Sequence, residues 1–512
     1  MTESYILGID LATTSTKCII LTSEGRVIAE SSVPNITFQP NAIWSEQDPN
    51  QWWASCINII KAALDKALVS PREIKVVGVT GQMCTLVLLD KDNQVLRPAI
   101  LWNDRRSQSE CEEMLSMSDE VDWQNITGSL PSPGMTAPKI IWVKKHEPEV
   151  FNNVRKILLP KDFIRYCLTG KINTEKSDAS GTSLFDINNE DWSQVVINSL
   201  GISPEFLPPI ANGLDIVGTI STTASKITGI PYGTPVIAGG SDQATQAVGI
   251  GLIEPRMTGV ILGTSGNIFT TIAHPIIDTK SRVRLYSHCI PGLWYLLGIT
   301  ISAGESLRWW CENFNSAEKI VADSLGVDEY RLINDEAARI PPGCECLIFL
   351  PYLSGVRTPH LDPSARAAFV GITANHTRAT FSRSVMEGVA FSLRDSLETM
   401  YELGIKVGDT LYASGGGTKS KLWREIISNV LQKKLLISPI AQGAALGVAL
   451  MAGTAIKLWP DLATAHEQTA NCSEQISPTP ELVEKYSNLY TIYRPLYEAL
   501  KPTFHRLFEL YE

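Results

Sequence analysis

Short apolar runs separated by small polar turns open the chain. Residues 5–9 are apolar, residues 12–16 are small and hydroxylated, and residues 18–21 are apolar again. Two short apolar runs joined by a turn signal predict a β-hairpin. Residues 27–31 predict a third strand after this hairpin.

The next segment changes from strand-like to helical spacing. Residues 51–67 repeat apolar side chains at helical intervals, and one face of the predicted helix carries Trp52, Cys56, Ile59, Ile60 and Leu64. Residues 76–79 and 86–89 then predict strands around a turn at residues 81–84. Strands and helices alternate in this way along most of the chain, which favours an α/β fold.

The opening pattern returns near residue 259. The segment GVILGTSGNIFTTI resembles YILGIDLATTSTKCII, because each has a strand ending in Ile-Leu-Gly, a small hydroxylated turn and a second strand. A repeat about 250 residues apart predicts two related halves, and we place their boundary near residue 250. Gly, Ser and Thr also form turns without any duplication, so these residues alone leave that alternative open.

Two helices are predicted late in the chain. Residues 421–435 carry an apolar stripe and directly follow the glycine-rich turn at residues 414–417. Residues 481–510 predict a terminal helix that Pro495 and Pro502 interrupt. Proline has this effect because it lacks the amide hydrogen that a helix interior requires.

Composition narrows the class of protein. The 512 residues are 44% hydrophobic, and Lys plus Arg (44) against Asp plus Glu (54) gives a net charge of −10. Such an acidic chain lacks the electrostatic footprint of a nucleic-acid binder. The most apolar long window, residues 443–455, is shorter than the about 20 residues that a membrane span needs. We therefore expect neither a nucleic acid nor a membrane as a partner.

Two further features favour a cytoplasmic protein. The N-terminal segment has no basic n-region and no long apolar h-region, so it does not predict a signal peptide. The ten cysteines are scattered and form no C-x-x-C motif, whereas a disulfide scaffold or a zinc ribbon would cluster them. We expect reduced thiols in the cytoplasm.

Four glycine-rich or hydroxyl-rich turns each lie at the end of an apolar run. They occupy residues 8–16, 239–242, 262–266 and 414–417. Backbone amides in such turns can approach an anion closely, because no Cβ blocks the way. Four of them in one chain predict a nucleotide held between two lobes. The sequence contains neither the P-loop motif nor the Rossmann glycine motif, which argues against those two modes of nucleotide binding.

Acidic residues at two of these turns are candidates for chemistry. Asp10 and Asp242 each follow an apolar run beside a turn that could cradle phosphate. A carboxylate in that place can hold Mg²⁺ through water or accept a proton from a nucleophile. An aspartate in a turn is also a common capping residue, so the positions alone leave a structural role open.

The cluster of Trp102, Asn103 and Asp104 is a candidate sugar site. An aromatic face packs against the C–H groups of a sugar, and an amide and a carboxylate bind hydroxyl groups. Ordinary packing of the tryptophan is the alternative that composition leaves open. No histidine lies in a metal-ligand motif, so the histidines predict no metal site.

Five segments carry a resemblance to a known family. They are GMTAPKIIWVKKHEP at residues 134–148, WSEQDPNQWW at 44–53, RPAILWNDRR at 97–106, LLPKDFIRYCLTG at 158–170 and FLPYLSGVRTPH at 349–360. On these motifs the chain resembles the FGGY carbohydrate kinases from about residue 5 to about residue 490.

The resemblance implies a fold and a division of labour. The implied fold is α/β, a two-domain duplicated actin/Hsp70-like ATPase (ribonuclease H-like) fold with a central cleft. The resemblance also implies a sugar-binding domain at residues 1–250 and an ATP-binding domain at residues 251–512. This expectation agrees with the internal repeat.

The resemblance further implies a role for each matching residue. Asp242 matches the catalytic base, and Asp10 matches the acidic residue near the metal and the phosphates. The positions matched to ATP binding form two phosphate motifs and an adenosine motif: Thr13, Thr14, Ser15, Lys17, Gly263, Thr264, Ser265, Gly266, Gly415, Gly416, Gly417 and Lys419. The residues expected at the sugar are Gln82, Met83, Cys84, Trp102, Asn103, Asp104 and Gln243.

Several positions depart from the family pattern. Cys84 stands where a histidine is usual, and Gln243 stands where an asparagine is usual. A thiol is a weak hydrogen-bonding group compared with an imidazole. The other departures are Ala12, Val356 and Thr380. Because two departures belong to the expected sugar pocket, the pattern determines the reaction type better than the substrate.

We expect a kinase that uses ATP and Mg²⁺ to phosphorylate the primary hydroxyl of a ketopentose, with D-xylulose as the first candidate. Its partners would be the sugar and ATP, and the sequence leaves a homodimer open. One alternative is a kinase for another ketopentose or a polyol, such as D-ribulose or ribitol. The other is an actin-like ATPase that binds a partner rather than phosphorylating a sugar.

Overall fold

Two seven-stranded sheets, one in each half of the chain, form the framework of the protein. The structure is a computed structural model and describes residues 4–437, 443–469 and 474–511. The strands of the first half are β1 (Tyr5–Leu11), β2 (Ser15–Thr22), β3 (Val27–Pro34), β4 (Glu46–Gln47), β5 (Ile74–Gly81), β6 (Val87–Leu89), β7 (Ala99–Ile100), β8 (Lys156–Leu158), β9 (Thr174–Glu175), β10 (Phe185–Asp186), β11 (Asp191–Trp192), β12 (Ile210–Ala211), β13 (Ile216–Thr219), β14 (Pro235–Ile237) and β15 (Gly240–Ser241). Those of the second half are β16 (Thr258–Leu262), β17 (Gly266–Ile272), β18 (Arg284–Ser287), β19 (Trp294–Thr300), β20 (Ile348–Leu350), β21 (Ala368–Val370), β22 (Thr410–Ser414), β23 (Lys434–Ile437) and β24 (Glu474–Ile476).

Helices alternate with these strands, as the spacing predicted. In the first half they are α1 (Pro49–Ala67), α2 (Gln108–Ser116), α3 (Trp123–Thr127), α4 (Thr136–His146), α5 (Pro148–Asn153), α6 (Pro160–Thr169), α7 (Lys176–Ala179), α8 (Gln194–Leu200), α9 (Thr222–Thr228) and α10 (Asp242–Gly249). In the second half they are α11 (Gly304–Phe314), α12 (Ser316–Leu325), α13 (Glu329–Ala337), α14 (Arg378–Glu402), α15 (Lys421–Leu431), α16 (Gly443–Ala455), α17 (Leu462–Thr469), α18 (Pro480–Tyr493) and α19 (Leu496–Tyr511).

Each large sheet contains the same arrangement of strands. In the first sheet, β1 pairs antiparallel with β2 and parallel with β5, and β14 pairs parallel with β5. In the second sheet, β16 pairs antiparallel with β17 and parallel with β22, and β23 pairs parallel with β22. The predicted duplication of an α/β unit is therefore confirmed.

The two predicted hairpins form where the apolar runs indicated them. Asp10 faces Lys17 across β1 and β2, and Leu262 faces Gly266 across β16 and β17. Residues 12–14 and 263–265 form the turns. Every residue of β1 is buried, because this central strand is packed on both faces and its side chains are therefore apolar on both sides, with Asp10 as the exception.

Two predicted features of the later helices were wrong. The helix predicted at residues 421–435 ends at Leu431, because Gln432 adopts a left-handed φ of 58°, and Lys434–Ile437 forms β23 instead. Residues of this segment pair with β22 in a parallel sheet, and this tertiary pairing overrides their helical spacing. Pro502 lies inside α19, so only residues 494–495 separate α18 from α19.

One helix of the second half packs on the sheet of the first. Helix α16 lies against β1 and β5, and it also packs along α10. Its backbone comes so close that a Cβ at Gly8 would lie 2.4 Å from the carbonyl oxygen of Ala445. The two halves are thus joined through their core, and the domain boundary near residue 250 stays a prediction. Within the described ranges, no helix is long and apolar enough to cross a membrane.

Candidate active site

The two candidate carboxylates lie at the carboxyl ends of β1 and β15, the two strands that flank the end of β5 in the first sheet. Asp10 pairs with Thr80 of β5 from one side, and Gly240 of β15 pairs with Thr80 from the other. Adjacent strands are about 4.8 Å apart, so the strands that carry the two carboxylates are about 10 Å apart at this level. Asp242 begins α10 directly after β15. Both side chains therefore belong to the carboxyl ends of parallel strands.

The surroundings raise the pKa of both carboxyl groups. Burial raises the pKa of Asp10 to about 6, although the facing Lys17 lowers it. Burial, the charge of Asp10 and the charge of Asp178 raise the pKa of Asp242 to about 8. Two neighbouring carboxyl groups with raised pKa values are typical of a site that binds a cation or moves a proton.

Asp10 has a free oxygen that suits a magnesium ion. Its Oδ1 atom is buried and has no hydrogen-bond partner among the described residues. Mg²⁺ prefers oxygen ligands and keeps several waters when it binds phosphates. The described part of the chain has no group of three Asp, Glu, His or Cys side chains that could hold a metal. The site therefore fits an ion bound through Asp10, water and the phosphates of a nucleotide.

Three expected site residues that are distant in sequence form one hydrogen-bonded cluster. Trp102 Nε1 donates to Thr13 Oγ1 at 2.8 Å, and Thr13 Oγ1 donates to Gln82 Oε1 at 3.4 Å. Trp102 is 48% exposed, which leaves part of its ring free to contact a ligand. Asn103, beside it, is exposed. The first phosphate turn and the expected sugar residues thus lie together.

Cys84 is buried and has an unusual backbone conformation. Its φ of 62° lies in the left-handed region, which residues other than glycine rarely adopt outside constrained sites. Its Sγ donates to the carbonyl of Gly181 at 3.0 Å, and its own carbonyl accepts a hydrogen bond from Lys139 Nζ at 3.0 Å. Burial raises the pKa of the thiol to about 11, so Cys84 is a neutral group at this site.

The other expected sugar ligands differ in how many free atoms they offer. Both carboxylate oxygens of Asp104 accept hydrogen bonds from Arg106, and one also accepts from the amide of Ser45. A sugar that bound Asp104 directly would have to replace one of these bonds. Gln243 Oε1, in contrast, is buried without a hydrogen-bond partner in the described structure. Met83 Sδ lies 3.9 Å from the hydroxyl oxygen of Tyr295.

A pocket of about 810 Å³ opens in the second half of the protein. The expected ATP-binding residues that line it are Gly263, Thr264, Gly416, Gly417 and Lys419. Ser265, Gly266 and Gly415 adjoin this lining in sequence, whereas Thr13, Thr14, Ser15 and Lys17 belong to the first hairpin. Side chains that the motifs did not indicate also line it, among them Arg308, Tyr330 and Trp423. The size suits a ligand as large as a nucleotide.

Helix α10 connects the candidate base to the end of β22, the strand that leads to the adenosine motif. Gln246, one helical turn after Asp242, donates from Nε2 to Ser414 Oγ at 3.4 Å. Ser414 is the last residue of β22 and directly precedes the glycines of the adenosine motif. The helix that begins with Asp242 therefore contacts the segment that precedes the adenosine motif.

Charged residues that the sequence interpretation missed lie close to Asp242. Lys161, Glu175 and Asp178 are fully buried, and Lys161 forms ion pairs with both carboxylates. Charged residues are almost never fully buried unless they are paired. The Lys161–Asp162 pair within the otherwise apolar LLPKDFI was the signal that could have identified this cluster.

Comparison with known proteins decides the family. Residues 5–249 match the N-terminal domain of the FGGY family of carbohydrate kinases, and residues 259–456 match its C-terminal domain. The chain belongs to the FGGY family of carbohydrate kinases. The family that the motifs predicted is thus confirmed, and with it the class of enzyme, a sugar kinase.

Individual relatives match this FGGY kinase over nearly its whole length. This chain is 36% identical over 498 residues to the xylulose kinase of Bacillus subtilis (strain 168), and the match covers 97% of each chain. Two solved structures from Lactobacillus acidophilus each have a TM-score of 0.91 at 27% identity. One is a xylulose kinase (98% of this chain and 100% of that one) and the other a gluconate kinase (99% and 100%). One fold thus serves kinases named for different sugars, so the residues of the pocket must select the substrate.

Proposed function

We propose that this FGGY kinase transfers the γ-phosphoryl group of ATP to the primary hydroxyl of D-xylulose. The position of Asp242 carries the proposal. Asp242 begins α10 at the carboxyl end of β15, and Gln246 of the same helix bonds Ser414, the residue that precedes the glycines of the adenosine motif. The likeness over nearly the whole chain to the xylulose kinase of Bacillus subtilis supports D-xylulose as the sugar.

The residues of the chain divide the work of the reaction. Asp242 accepts the hydroxyl proton while the sugar oxygen attacks the γ-phosphorus in line. Gln243 Oε1 and the free ring face of Trp102 orient the sugar. Asp10 would hold Mg²⁺ through water, and the bound ion would neutralise charge on the phosphates. Closure of the two lobes excludes water, so the phosphoryl group reaches the sugar rather than solvent.

A substrate panel tests the proposal. We would measure ADP release from the purified chain with ATP and Mg²⁺ in the presence of D-xylulose, D-ribulose, ribitol or no sugar. We expect sugar-dependent turnover with the highest kcat/KM for D-xylulose. A higher value for D-ribulose or ribitol would overturn the choice of sugar and keep the kinase. ADP release that no sugar increases would instead support the actin-like ATPase.

Gly416 offers a test of the nucleotide pocket. A Cβ at Gly416 would meet no protein atom within 4 Å, so Gly416→Val should fold normally while its side chain occupies pocket space. We expect the KM for ATP to rise about tenfold or more, as for other mismatched pocket contacts, with the KM for the sugar nearly unchanged. The matched control is Gly408→Val, since Gly408 also has no atom within 4 Å and does not line the pocket. An unchanged KM for ATP in Gly416→Val would place the nucleotide elsewhere.

Cys84 offers a test of the sugar pocket. Cys84→His should lower the KM for D-xylulose relative to other ketopentoses, because an imidazole replaces a thiol that now bonds only the carbonyl of Gly181. One hydrogen bond contributes about 0.5–1.5 kcal/mol, which corresponds to roughly 2- to 13-fold. Initial-rate kinetics should show a nearly unchanged KM for ATP. If ATP affinity shifts and the ranking of sugars does not, this loop does not contact the sugar.

A further inference from the structure

A fully buried network of charges lies next to the strand that leads to Asp242. Lys161 Nζ lies 2.7 Å from Asp162 Oδ1, 2.9 Å from Asp178 Oδ2 and 3.5 Å from Glu175 Oε1. Arg165 Nη2 lies 2.9 Å from Asp162 Oδ1. All of these side chains are 0% exposed. Charges so far from solvent persist only when partners and hydrogen bonds compensate them.

The network holds the backbone of the segment that ends at Asp242. Arg165 donates from Nη1 to the carbonyl of Ala238. Ser177 Oγ accepts a hydrogen bond from the amide of Ser241 at 2.9 Å and donates to Glu175 Oε1 at 2.9 Å. The residue directly before Asp242 is therefore hydrogen-bonded to the network through one serine.

When all of its groups are ionised, the network carries more negative than positive charge. It contains two cations, Lys161 and Arg165, and three carboxylates. Asp162 contacts both cations, whereas Asp178 contacts only Lys161. Asp178 is also the member of the network whose charge acts on Asp242. Burial raises the pKa of Asp178 to about 7, although Lys161 lowers it, so Asp178 adds its negative charge to the network above neutral pH.

We propose that Asp178 is a positioning residue for Asp242: Lys161 holds Asp178, and Ser177, its neighbour in α7, holds Ser241, the residue directly before Asp242. This inference rests on the proposed role of Asp242 as the base. When Asp178 is ionised, its negative charge makes Asp242 a stronger proton acceptor, and the hydrogen bond from the Ser241 amide to Ser177 Oγ fixes the segment that ends at Asp242. Three other groups interact electrostatically with Asp242. The charge of Asp10 raises the pKa of Asp242, and the charge of Asp242 raises the pKa values of Cys84 and Tyr295.

A purely structural role for Asp178 predicts a different outcome. Asparagine has the same shape, and replacing Asp178 by asparagine would leave two cations opposite two carboxylates. The variant network would be neutral, so stability should change little. A lower rate at unchanged stability is therefore what the positioning role predicts and a structural role does not.

The first experiment compares Asp178→Asn with a matched buried carboxylate. Asp395 in the second half is buried, accepts a hydrogen bond from Tyr490 and also has a raised pKa, but it belongs to another part of the core. We expect Asp178→Asn to lower kcat about tenfold, within the range that general-base catalysis provides, with both KM values within about twofold. Asp395→Asn should leave kcat within about twofold. Equal kcat values for the two variants would overturn the proposal.

The second experiment is a double-mutant cycle with Asp242. If Asp178 acts through Asp242, adding Asp178→Asn to Asp242→Asn should reduce the residual rate by less than about twofold. A further tenfold loss would show an independent effect and overturn the proposal. If Asp242→Asn alone keeps normal kcat, the base assignment fails first. Ser177→Ala serves if Asp178→Asn does not fold: it should also lower kcat, and a normal kcat in Ser177→Ala would contradict the positioning role.

Discussion

Replacing Asp242 with asparagine should lower kcat for sugar phosphorylation by about 10²- to 10⁴-fold, the usual loss when a positioned base is removed. An amide accepts no proton from the attacking hydroxyl. The fold should remain, because Asp242 Oδ1 accepts only the adjacent amide of Gln243, at 2.7 Å, and an asparagine oxygen can accept the same bond. Steady-state ADP release under saturating sugar and ATP measures the effect.

Thermal unfolding at several pH values provides the matching stability test. The pKa of Asp242 is raised from an ordinary value of 3.8 to about 8 in the folded protein, mainly by burial. The unfolded carboxyl therefore loses its proton at lower pH than the folded one, and wild-type stability falls as pH rises between these values. Asp242→Asn has no carboxyl group to ionise and therefore does not lose this stability, so it should be at least as stable as wild type at pH 8. A variant that loses activity and Tm together would indicate a structural role.

A kcat within twofold of wild type would contradict the base assignment directly. The Asp395→Asn variant is the control, since its carboxyl is also buried and has a pKa raised to about 7 by burial. We expect Asp395→Asn to keep normal kcat, because its hydrogen-bond partner Tyr490 lies in α18, in the core of the second half. The comparison separates loss of the base from loss of a buried charge.

Gly447→Ala should destabilise the whole protein by on the order of 3 kcal/mol, at the upper end of the cost of overpacking. A Cβ at Gly447 of α16 would lie 1.8 Å from the carbonyl oxygen of Thr245 and 2.9 Å from the amide nitrogen of Gly249. Both are backbone atoms of α10, so no side-chain rotation relieves the contact. The two helices must move apart, and α10 carries Asp242.

Thermal unfolding and kcat should therefore both report this change. Gly408→Ala is the matched control: a Cβ there meets no atom within 4 Å, and such surface changes stay within about 0.5 kcal/mol. We expect a clearly lower Tm and a lower kcat for Gly447→Ala than for Gly408→Ala. Equal Tm values would show that α10 and α16 are not packed as closely as the structure has them.

Local pattern determined much of the framework and several positions of the site. The apolar runs around residue 10 and the repeat near residue 259 predicted both hairpins, because short-range spacing reports which faces of a segment will be buried. The same turns placed Asp10 and Asp242 after apolar runs; Asp242 follows β15 as predicted, whereas Asp10 lies within β1, whose strand continues to Leu11. Where a segment could form either element, as at residues 434–435, helical spacing alone predicted the wrong one.

Tertiary structure decided which of these segments meet. Trp102 reaches Thr13 across 89 positions, and Thr80 Oγ1 donates to the carbonyl of Gly240 across 160. The Lys161 network and the packing of α16 on β1 likewise join distant parts of the chain. Spacing within one segment indicates that one of its faces is buried. It does not indicate which segment packs against that face, because this depends on how all the apolar faces of the chain pack together.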